Sequence, residues 1–268
     1  MKIIQPYMRM LTRGVENLGT VIPPLTTYSV LPPLQLVEWC GRISHRSEEE
    51  QKADSTEKFL RAVVIGHGDW SITEHVQVSV DAVVDRGITH EIVRHRIAAY
   101  TQESTRFVNY AKKMPPAFIY PKPDVRCAHC LNGDEPMPVD SGYRAGRHDI
   151  LAKWEHDIAG VKWPCAYATV WLGSIAMAED AYINLLYHGW RPQEARSVFP
   201  NALASRIIIT YNLRTWRHFF LMRTSLEAHP QMRQVTIPLL REFQQRIPVL
   251  YEDIEPEQRQ IENMKKAR

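Results

Sequence analysis

The segment HVQVSVDAVV, residues 75–84, gives the clearest indication of the fold class. Valine or alanine occupies every second position from Val76 onward, and mostly polar residues occupy the positions between. Because successive side chains of a strand point to opposite faces of a sheet, this alternation predicts a strand with one buried face. Gly87 interrupts the pattern, and Thr89 is expected to begin a helical turn.

Helical patterns dominate the rest of the chain. Prolines in the first forty residues predict irregular or strand-like structure, and two helices are predicted after them, with Ser55 as the N-cap of the second. The predicted helices cover residues 34–44, 55–66, 148–161, 164–188, 193–199, 203–224 and 232–246. Early strands followed by helices favour an α+β domain over alternating βαβ units.

Length and composition limit the classes of function. The chain has 268 residues with 44% hydrophobic content, enough for a substantial core. Its net charge of +3 is too small for a general nucleic-acid surface, so any phosphate must be bound by local clusters. No run of about 18 apolar residues and no secretory signal is present. We therefore expect a cytoplasmic protein with no membrane or nucleic-acid partner.

The chain contains four cysteines, two of them in the motif Cys127-Ala-His-Cys130. This motif lies in a stretch rich in proline, glycine and aspartate, residues 114–146, which is predicted to be a long surface loop. A C-x-x-C pair is half of a zinc site, which His148 or Cys165 could complete. The alternative is two thiols in a loop, and the number of available ligands favours it. The sequence therefore predicts no metal site.

Residues 94–107, RHRIAAYTQESTRF, contain several cationic side chains and a single acid, Glu103. Guanidinium groups match phosphate oxygens and keep their charge at any working pH. Gln102, Ser104 and Arg106 add donors at alternating positions, which an extended segment would present to one ligand. A solvated basic face is the alternative. We interpret the run as a nucleotide site that uses side chains, because neither G-x-G-x-x-G nor G-x-x-x-x-G-K-[ST] is present.

Two further clusters are candidates for the same site. In residues 68–75, Ser71 and Glu74 form either a helix cap or part of a ligand-binding loop. On a helix through residues 212–223, one mostly apolar stripe carries Asn212 and Arg223, while Arg214 and His218 form a neighbouring pair. Burying this arginine requires an acid or an anionic ligand, unless it reaches solvent by snorkelling.

Together, these segments resemble the ThyX family, the flavin-dependent thymidylate synthases, whose signature reads R-H-R-x-x-S-x-N-E-x-S-x-R-Y. Residues 40–44, 68–75, 193–200 and 212–223 are similar to other family segments in order and spacing, so the resemblance extends from about Gly41 to Gln234. It implies a ThyX-like fold, with an antiparallel sheet and long helices. It also implies a single catalytic domain over residues 1–268, a surface insertion around 122–147, and a homotetramer whose sites combine residues of several subunits.

The resemblance also implies roles for individual residues. The positions that match family contacts to FAD are Ser44, Ser71, Arg94, His95, Arg96, Asn212, Arg214 and His218. Those that match contacts to dUMP are Arg94, Gln102, Ser104, Arg106, Arg196 and Arg223. Arg223 falls closest to the pyrimidine and is the predicted catalytic residue. The implied reaction methylates C5 of dUMP to give dTMP, with 5,10-methylenetetrahydrofolate as carbon donor, reduced FAD as hydride donor and NADPH as reductant.

Several positions depart from the family pattern. Asp69 stands in place of a histidine, His218 in place of an asparagine, and Glu91 in place of the glutamine that precedes R-H-R. Thr101 and Gln102 replace Asn and Glu. A carboxylate at position 91 could accept a hydrogen bond from an additional sugar hydroxyl. Two alternatives therefore stay open: a relative that methylates or hydroxymethylates UMP, and a non-catalytic nucleotide-binding protein.

Overall fold

The computed structural model describes residues 2–12, 31–112, 114–121 and 166–256. The predicted helix 148–161, the Cys127/Cys130 pair and the predicted insertion 122–147 lie outside these residues. The chain divides into two compact units. The first comprises Met1–Gln5, Asp85–Gly87 and Glu103–Ser205, and the second comprises Pro6–Val84, Ile88–Gln102 and Arg206–Arg268. No helix in the described part of the chain has the length and apolar character needed to cross a membrane.

Strands and helices alternate irregularly along the chain. The strands are β1 (Lys2–Ile4), β2 (Tyr7–Met10), β3 (Gln77–Asp85), β4 (Ala99–Gln102), β5 (Ala117–Ile119) and β6 (Ala204–Asn212). The α-helices are α1 (Pro33–Ile43), α2 (Thr56–Leu60), α3 (Arg86–Ile92), α4 (Ala166–Tyr187), α5 (Pro192–Ala195), α6 (Leu213–Arg223), α7 (Pro230–Arg246) and α8 (Pro248–Tyr251). A π-helical turn, Arg61–Gly66, continues α2, and 3-10 turns cover Glu48–Glu50, Trp70–His75 and Arg196–Val198.

A four-stranded sheet in the order β2-β3-β6-β4 forms the centre of the second unit. β2 pairs with β3 and β4 pairs with β6, both antiparallel. The buried valines of β3 face helices α6 and α7, whose Trp216, Phe220 and Phe243 are fully buried. Burial of each such side chain contributes about 1.5–3 kcal/mol. The predicted strand and the α+β class are confirmed.

The opposite face of β3 carries the buried carboxylate of Asp81. Arg9 of β2 and Arg206 of β6 each donate two hydrogen bonds to it, at 2.8–3.0 Å. These bonds lower the pKa of Asp81 below its ordinary value, with the bond from Arg206 as the largest cause. The charge of Asp81 is therefore compensated across three neighbouring strands.

Three helices of the second unit lie close to where the sequence predicts them. α1, α2 with its π-helical turn, and α7 lie where residues 34–44, 55–66 and 232–246 predict helices. Ser55 is the N-cap residue of α2, as predicted, although its side chain accepts no hydrogen bond from a backbone N–H of that helix. Ser55 Oγ instead donates to Glu38 Oε1 at 2.6 Å, since this fully buried carboxylate needs donors.

The predicted continuous helix over residues 203–224 is wrong in its first half. Residues 204–212 form β6, and only residues 213–223 are helical. Ile207, Ile208 and Ile209 are β-branched residues that fit a pleated sheet, and the first and third are fully buried. Asn212 then begins α6 as its N-cap, because its side chain accepts a hydrogen bond from Thr215 N at 2.7 Å.

The first unit has its own core. β1 pairs in parallel with β5, a short strand that the sequence reading missed within a proline-rich stretch. Tyr182 of α4 stacks on Phe199 with ring centroids 4.4 Å apart, and Tyr110 packs edge-on against both rings. α4 confirms the helix predicted over residues 164–188, and α5 with the 3-10 turn Arg196–Val198 replaces the helix predicted over 193–199.

Candidate functional site

The R-H-R segment lies in a turn between α3 and β4, after the helical turn that was predicted to lead into it. Ile97, directly after it, has φ of 64° and a side chain that is 82% exposed. A β-branched residue rarely adopts this left-handed conformation, and such strain is concentrated at functional sites. Arg94 and Arg96 are exposed, and their side chains make no hydrogen bond to any residue that the structure describes.

His95 is buried and contacts the end of α6. Its Nε2 accepts a hydrogen bond from Arg223 Nε at 2.9 Å. Burial, followed by the charges of Arg223 and His218, lowers the pKa of His95 from 6.5 to about 4. The ring is therefore neutral near pH 7, and because Nε2 accepts, its proton is on Nδ1.

Arg223 is also bound to Glu91. Its Nη1 donates to Glu91 Oε2 at 3.0 Å, and its Nη2 lies 3.4 Å from the backbone oxygen of the same residue. Thr236 of α7 donates to the backbone oxygen of Arg223 at 2.8 Å. The acid required by a largely buried arginine is therefore Glu91. The guanidinium is fixed along two edges.

Two tyrosines that the sequence reading missed support this arrangement. Tyr100 Oη lies 2.5 Å from the backbone oxygen of His95 and 2.8 Å from Tyr211 Oη. Phe219 packs edge-on against the His95 ring, with centroids 5.0 Å apart. Burial raises the pKa of both tyrosines, so their hydroxyls remain donors. Their positions in β4 and β6 resemble ordinary core positions in the sequence. Only their contacts with the R-H-R turn show that they hold it in place.

Ser44 and Ser71 line one cleft of about 1100 Å³ in the second unit. Ser44 lies at the C-terminal end of α1, and its Oγ donates to Gly41 O at 2.7 Å. Ser71 lies within the 3-10 turn Trp70–His75, and no side chain caps that turn, so the helix-cap alternative for Ser71 is wrong. Lys52 and Lys58 also line the cleft, as do the carboxylates of Glu49, Glu50 and Asp69. Hydroxyl and ammonium donors of this kind fit a ligand that carries phosphate groups.

The N-terminal half of α6 presents three of the predicted cofactor residues. Asn212 is buried as the N-cap, whereas Arg214 and His218 are exposed. Arg214 Nη1 donates to Glu74 Oε1 at 2.7 Å, which connects α6 to the 3-10 turn of Ser71. The His218 ring lies 6.0 Å from that of His95. The second unit thus groups His218 with His95, and Arg214 with the turn of Ser71.

Gln102 ends β4, and its Nε2 donates to Thr89 Oγ1 at 3.0 Å. The chain turns at residues 105–107, so the predicted extended segment through Ser104 and Arg106 is wrong beyond Gln102. Ser104 Oγ instead accepts a hydrogen bond from Arg106 N at 3.3 Å. The turn satisfies a backbone donor that a lone extended segment would leave without a partner.

In the first unit, Arg106 and Arg196 each form a hydrogen bond to a neutral residue near the other arginine. Arg106 Nε donates to Gln193 Oε1 at 3.2 Å, and Arg196 Nη1 donates to Thr105 Oγ1 at 3.0 Å. Both guanidiniums are exposed, and neither carries an acid partner within the described part of the chain. Their charge is available to an anion.

The described residues contain no cluster of three or more His, Cys, Asp or Glu side chains arranged to hold a metal ion. Cys127 and Cys130 lie outside them. The donors at the sites above are hydroxyls, amides, imidazoles and cations. This set suits an organic anion better than a divalent cation.

Known proteins resemble this chain over most of its length. Residues 25–249 match the family described as thymidylate synthase complementing protein. A flavin-dependent thymidylate synthase of Mycobacterium sp. (strain KMS) is 32% identical over 226 residues, 82% of this chain and 79% of the relative. The enzyme of the same name from Mycobacterium tuberculosis (strain ATCC 25177 / H37Ra) is 30% identical over 227 residues, with the same coverage.

A solved structure supports the fold. The UMP/dUMP methylase PolB from Streptomyces cacaoi, bound with 5-Br dUMP, superposes with a TM-score of 0.62 at 18% identity, covering 94% of this chain and 96% of that one. The mixed helix-and-sheet architecture is therefore one that a nucleotide methylase also has. With the family match over residues 25–249, the resemblance to ThyX enzymes is confirmed, and this chain belongs to the thymidylate synthase complementing protein family.

Proposed function

We propose that this chain is a flavin-dependent thymidylate synthase that methylates C5 of dUMP to give dTMP. Its carbon donor would be 5,10-methylenetetrahydrofolate, its hydride donor reduced FAD and its reductant NADPH. The observation that carries the proposal is that the family match over residues 25–249 includes every residue predicted from the sequence to bind FAD or dUMP. The arrangement around Arg223 supports it independently.

Arg223 is the catalytic residue of the proposal. The C5 carbon of uracil is a weak nucleophile, and a cation beside N3 and its neighbouring carbonyl groups favours the electron-rich ionised ring. His95 fixes the guanidinium without adding charge, because its neutral Nε2 accepts from Arg223 Nε at 2.9 Å. A donor held in place before the reaction needs little reorganisation as negative charge develops.

Binding of the nucleotide falls to a second set of residues. Arg94, Arg106 and Arg196 would bind the phosphate, and Gln102 and Ser104 would add neutral hydrogen bonds. A serine nucleophile needs an adjacent base, and no base contacts Ser104 among the described residues. We therefore give Ser104 a hydrogen-bonding role. This set binds and orients the substrate, and makes no bond to it.

FAD fits the residues assigned to it by the chemistry of their donors. Hydroxyls and ammonium groups of the Ser44–Ser71 cleft, and the exposed guanidiniums of Arg94 and Arg96, suit a diphosphate. The remaining residues of the proposed cofactor site are His95, Asn212, Arg214 and His218. When bound, FAD supplies the hydride transfer chemistry that protein side chains cannot supply.

The proposal includes an assembly and a location. It treats residues 1–268 as a single catalytic domain with a surface insertion around 122–147, in a cytoplasmic homotetramer. Sites built from several subunits would not require every substrate-binding residue to meet within one chain. Sedimentation of the purified protein tests the tetramer, and a stable monomer with full activity would contradict it.

An absorbance spectrum combined with a turnover assay tests the activity. We expect the purified protein to show flavin bands that NADPH bleaches, and to form dTMP from dUMP and 5,10-methylenetetrahydrofolate. A colourless protein that binds dUMP and forms no dTMP would favour the non-catalytic alternative. Turnover without flavin would contradict the proposed cofactor.

The ribonucleotide alternative rests on the replacements at Thr101 and Gln102 and on Glu91 as a partner for an additional sugar hydroxyl. Glu91 Oε2 is hydrogen-bonded to Arg223 Nη1, which puts this carboxylate beside the group assigned to the pyrimidine. This contact favours dUMP over UMP as the proposed substrate. Initial rates with the two nucleotides at equal concentration test the preference, and faster turnover of UMP would overturn it.

A further inference from the structure

We propose that Glu91 is a specificity-determining residue, whose carboxylate competes with the pyrimidine ring of an incoming nucleotide for Arg223. The inference rests on the proposed function, because it takes Arg223 as the group that faces the pyrimidine. Glu91 itself is assigned no role by the reaction described above. Its contact with Arg223 is what points to one.

The pair is tight and partly withdrawn from water. Glu91 Oε2 lies 3.0 Å from Arg223 Nη1, and the two side chains are 35% and 18% exposed. Charges in such a setting interact more strongly than a fully exposed pair, and removing one leaves the other poorly compensated. Glu91 therefore occupies one of the hydrogen-bond donors of Arg223 and offsets much of its positive charge.

The charges of Arg223 and Glu91 nearly balance each other. His95, the other side chain hydrogen-bonded to Arg223, is neutral near pH 7. The positive charge of Arg223 is thus opposed mainly by the carboxylate of Glu91. A neutral pyrimidine can accept hydrogen bonds from the remaining N–H groups of Arg223 while this pair persists. An ionised pyrimidine must either displace the carboxylate or bind beside a like charge.

Glu91 consequently sets the preference between neutral and ionised rings. With the acid in place, the site disfavours rings that lose their N3 proton easily. The pyrimidine can bind the whole guanidinium of Arg223 only after the hydrogen bond between Glu91 and Arg223 has broken. Replacing the acid with an amide keeps an oxygen that can accept from Nη1, and removes the opposing charge. The preference should then shift towards the ionised ring.

The experiment compares two ligands of different N3 acidity on the FAD-loaded protein. Calorimetry at pH 8 measures the Kd of dUMP and of 5-fluoro-dUMP, whose fluorine makes the N3 proton more acidic, for the wild type and for Glu91→Gln. Both ligands carry the same phosphate and sugar, so the ratio of the two Kd values isolates the ring. We expect the ratio to shift towards 5-fluoro-dUMP by about tenfold in Glu91→Gln, given the strength of a close charge pair.

Two variants serve as controls. Glu57→Gln removes one negative charge from an exposed pair with Arg61, 2.9 Å apart, and should leave the ratio unchanged. Glu91→Asp keeps the charge and should stay close to the wild-type ratio. If Glu91→Gln does not fold, Glu91→Ala provides the same comparison against Glu91→Asp.

An unchanged ratio, or equal weakening of both ligands, would overturn the inference and leave Glu91 with a purely structural role. Failure of the proposed function would look different. In that case the wild-type protein itself would lack flavin or form no dTMP, whatever the ratio of the two Kd values in its variants.

Discussion

Two regions of the molecule present arginine side chains in contrasting ways. In the second unit, Arg223 is bound to a carboxylate and to a buried neutral imidazole, and its side chain is only 18% exposed. In the first unit, Arg106 and Arg196 are exposed and bind the neutral oxygens of Gln193 and Thr105. The same side-chain type is thus compensated and fixed in one region, and uncompensated in the other.

This difference separates two tasks. A guanidinium that its partners hold in place suits precise orientation against a ring whose charge changes during the reaction. Guanidiniums that keep their full charge suit a phosphate, whose charge is permanent. The partners of each arginine, more than the arginine itself, therefore indicate its role.

The largest effect is expected at Arg223. Arg223→Ala should lower kcat by roughly a thousandfold, the upper range for loss of a preorganised donor, and leave FAD bound. Arg223→Lys should not restore the rate, because one ammonium cannot reproduce the fork held by His95 and Glu91. Steady-state kinetics with flavin content measured on the same sample provide the check. Loss of flavin from Arg223→Ala would assign Arg223 to cofactor binding instead.

The buried imidazole of the same region should make stability depend on pH. The pKa of His95 is about 4 in the folded protein, against an ordinary value of 6.5, so the unfolded chain binds more protons between these values. Stability is therefore complete above pH 6.5 and falls as the pH drops towards 4, by up to about 3 kcal/mol.

Urea unfolding of the wild type and His95→Gln at several pH values measures this dependence. The slope between pH 6.5 and 4 should decrease in His95→Gln and persist in His90→Gln, a control at an exposed histidine of α3. Equal slopes in all three proteins would show that the burial of His95 does not control the pH dependence.

Intermediate effects are expected from the first unit. Arg106→Ala and Arg196→Ala should each raise the KM for dUMP by roughly ten- to a hundredfold, with a smaller change in kcat, because each removes a charge-assisted hydrogen bond. Arg191→Ala is the matched control, since Arg191 is exposed but paired with Glu194 at 2.6 Å. Equal effects of all three substitutions would mean that uncompensated charge does not distinguish these arginines.

The smallest effect is expected from Ser104→Ala. Loss of a neutral hydrogen bond should reduce kcat/KM by roughly tenfold or less, and methylation should remain measurable. Ser104→Thr, which keeps the hydroxyl, should be closer to the wild type. Complete loss of dTMP formation in Ser104→Ala would instead support a covalent role for this serine.

Much of the fold could be predicted because local pattern and burial agree. The alternation in β3 and the long helices α1, α4 and α7 were all identified from the sequence. The sequence does not distinguish β6 from a helix, because Ile207, Ile208 and Ile209 form a short apolar run with no period, and its pairing between β3 and β4 decides its state. Ser55 is the N-cap residue of α2 as predicted, but its hydroxyl donates to Glu38, a residue distant in sequence, so its side chain does not cap the helix.

For the candidate site, residue identities could be predicted from the sequence, but their partners could not. Arg223 and His95 were singled out with the help of the family resemblance, yet they lie 128 positions apart, and no spacing indicates their hydrogen bond. Glu91 departs from the family pattern and is predicted to lie near the substrate, but no sequence pattern indicates its bond to Arg223. Such contacts arise from tertiary packing, which local periodicity does not encode.

The most direct test of this division of tasks is the ratio of the Kd of deoxyuridine to that of dUMP, measured by calorimetry on FAD-loaded protein. The phosphate is the only difference between the two ligands, so the ratio reports phosphate binding alone. We expect Arg196→Ala to reduce the ratio by roughly tenfold, and Arg223→Ala to weaken both ligands while leaving the ratio within about twofold of the wild type. A ratio that falls equally in both variants would contradict the account, because Arg223 would then be a phosphate ligand like Arg196.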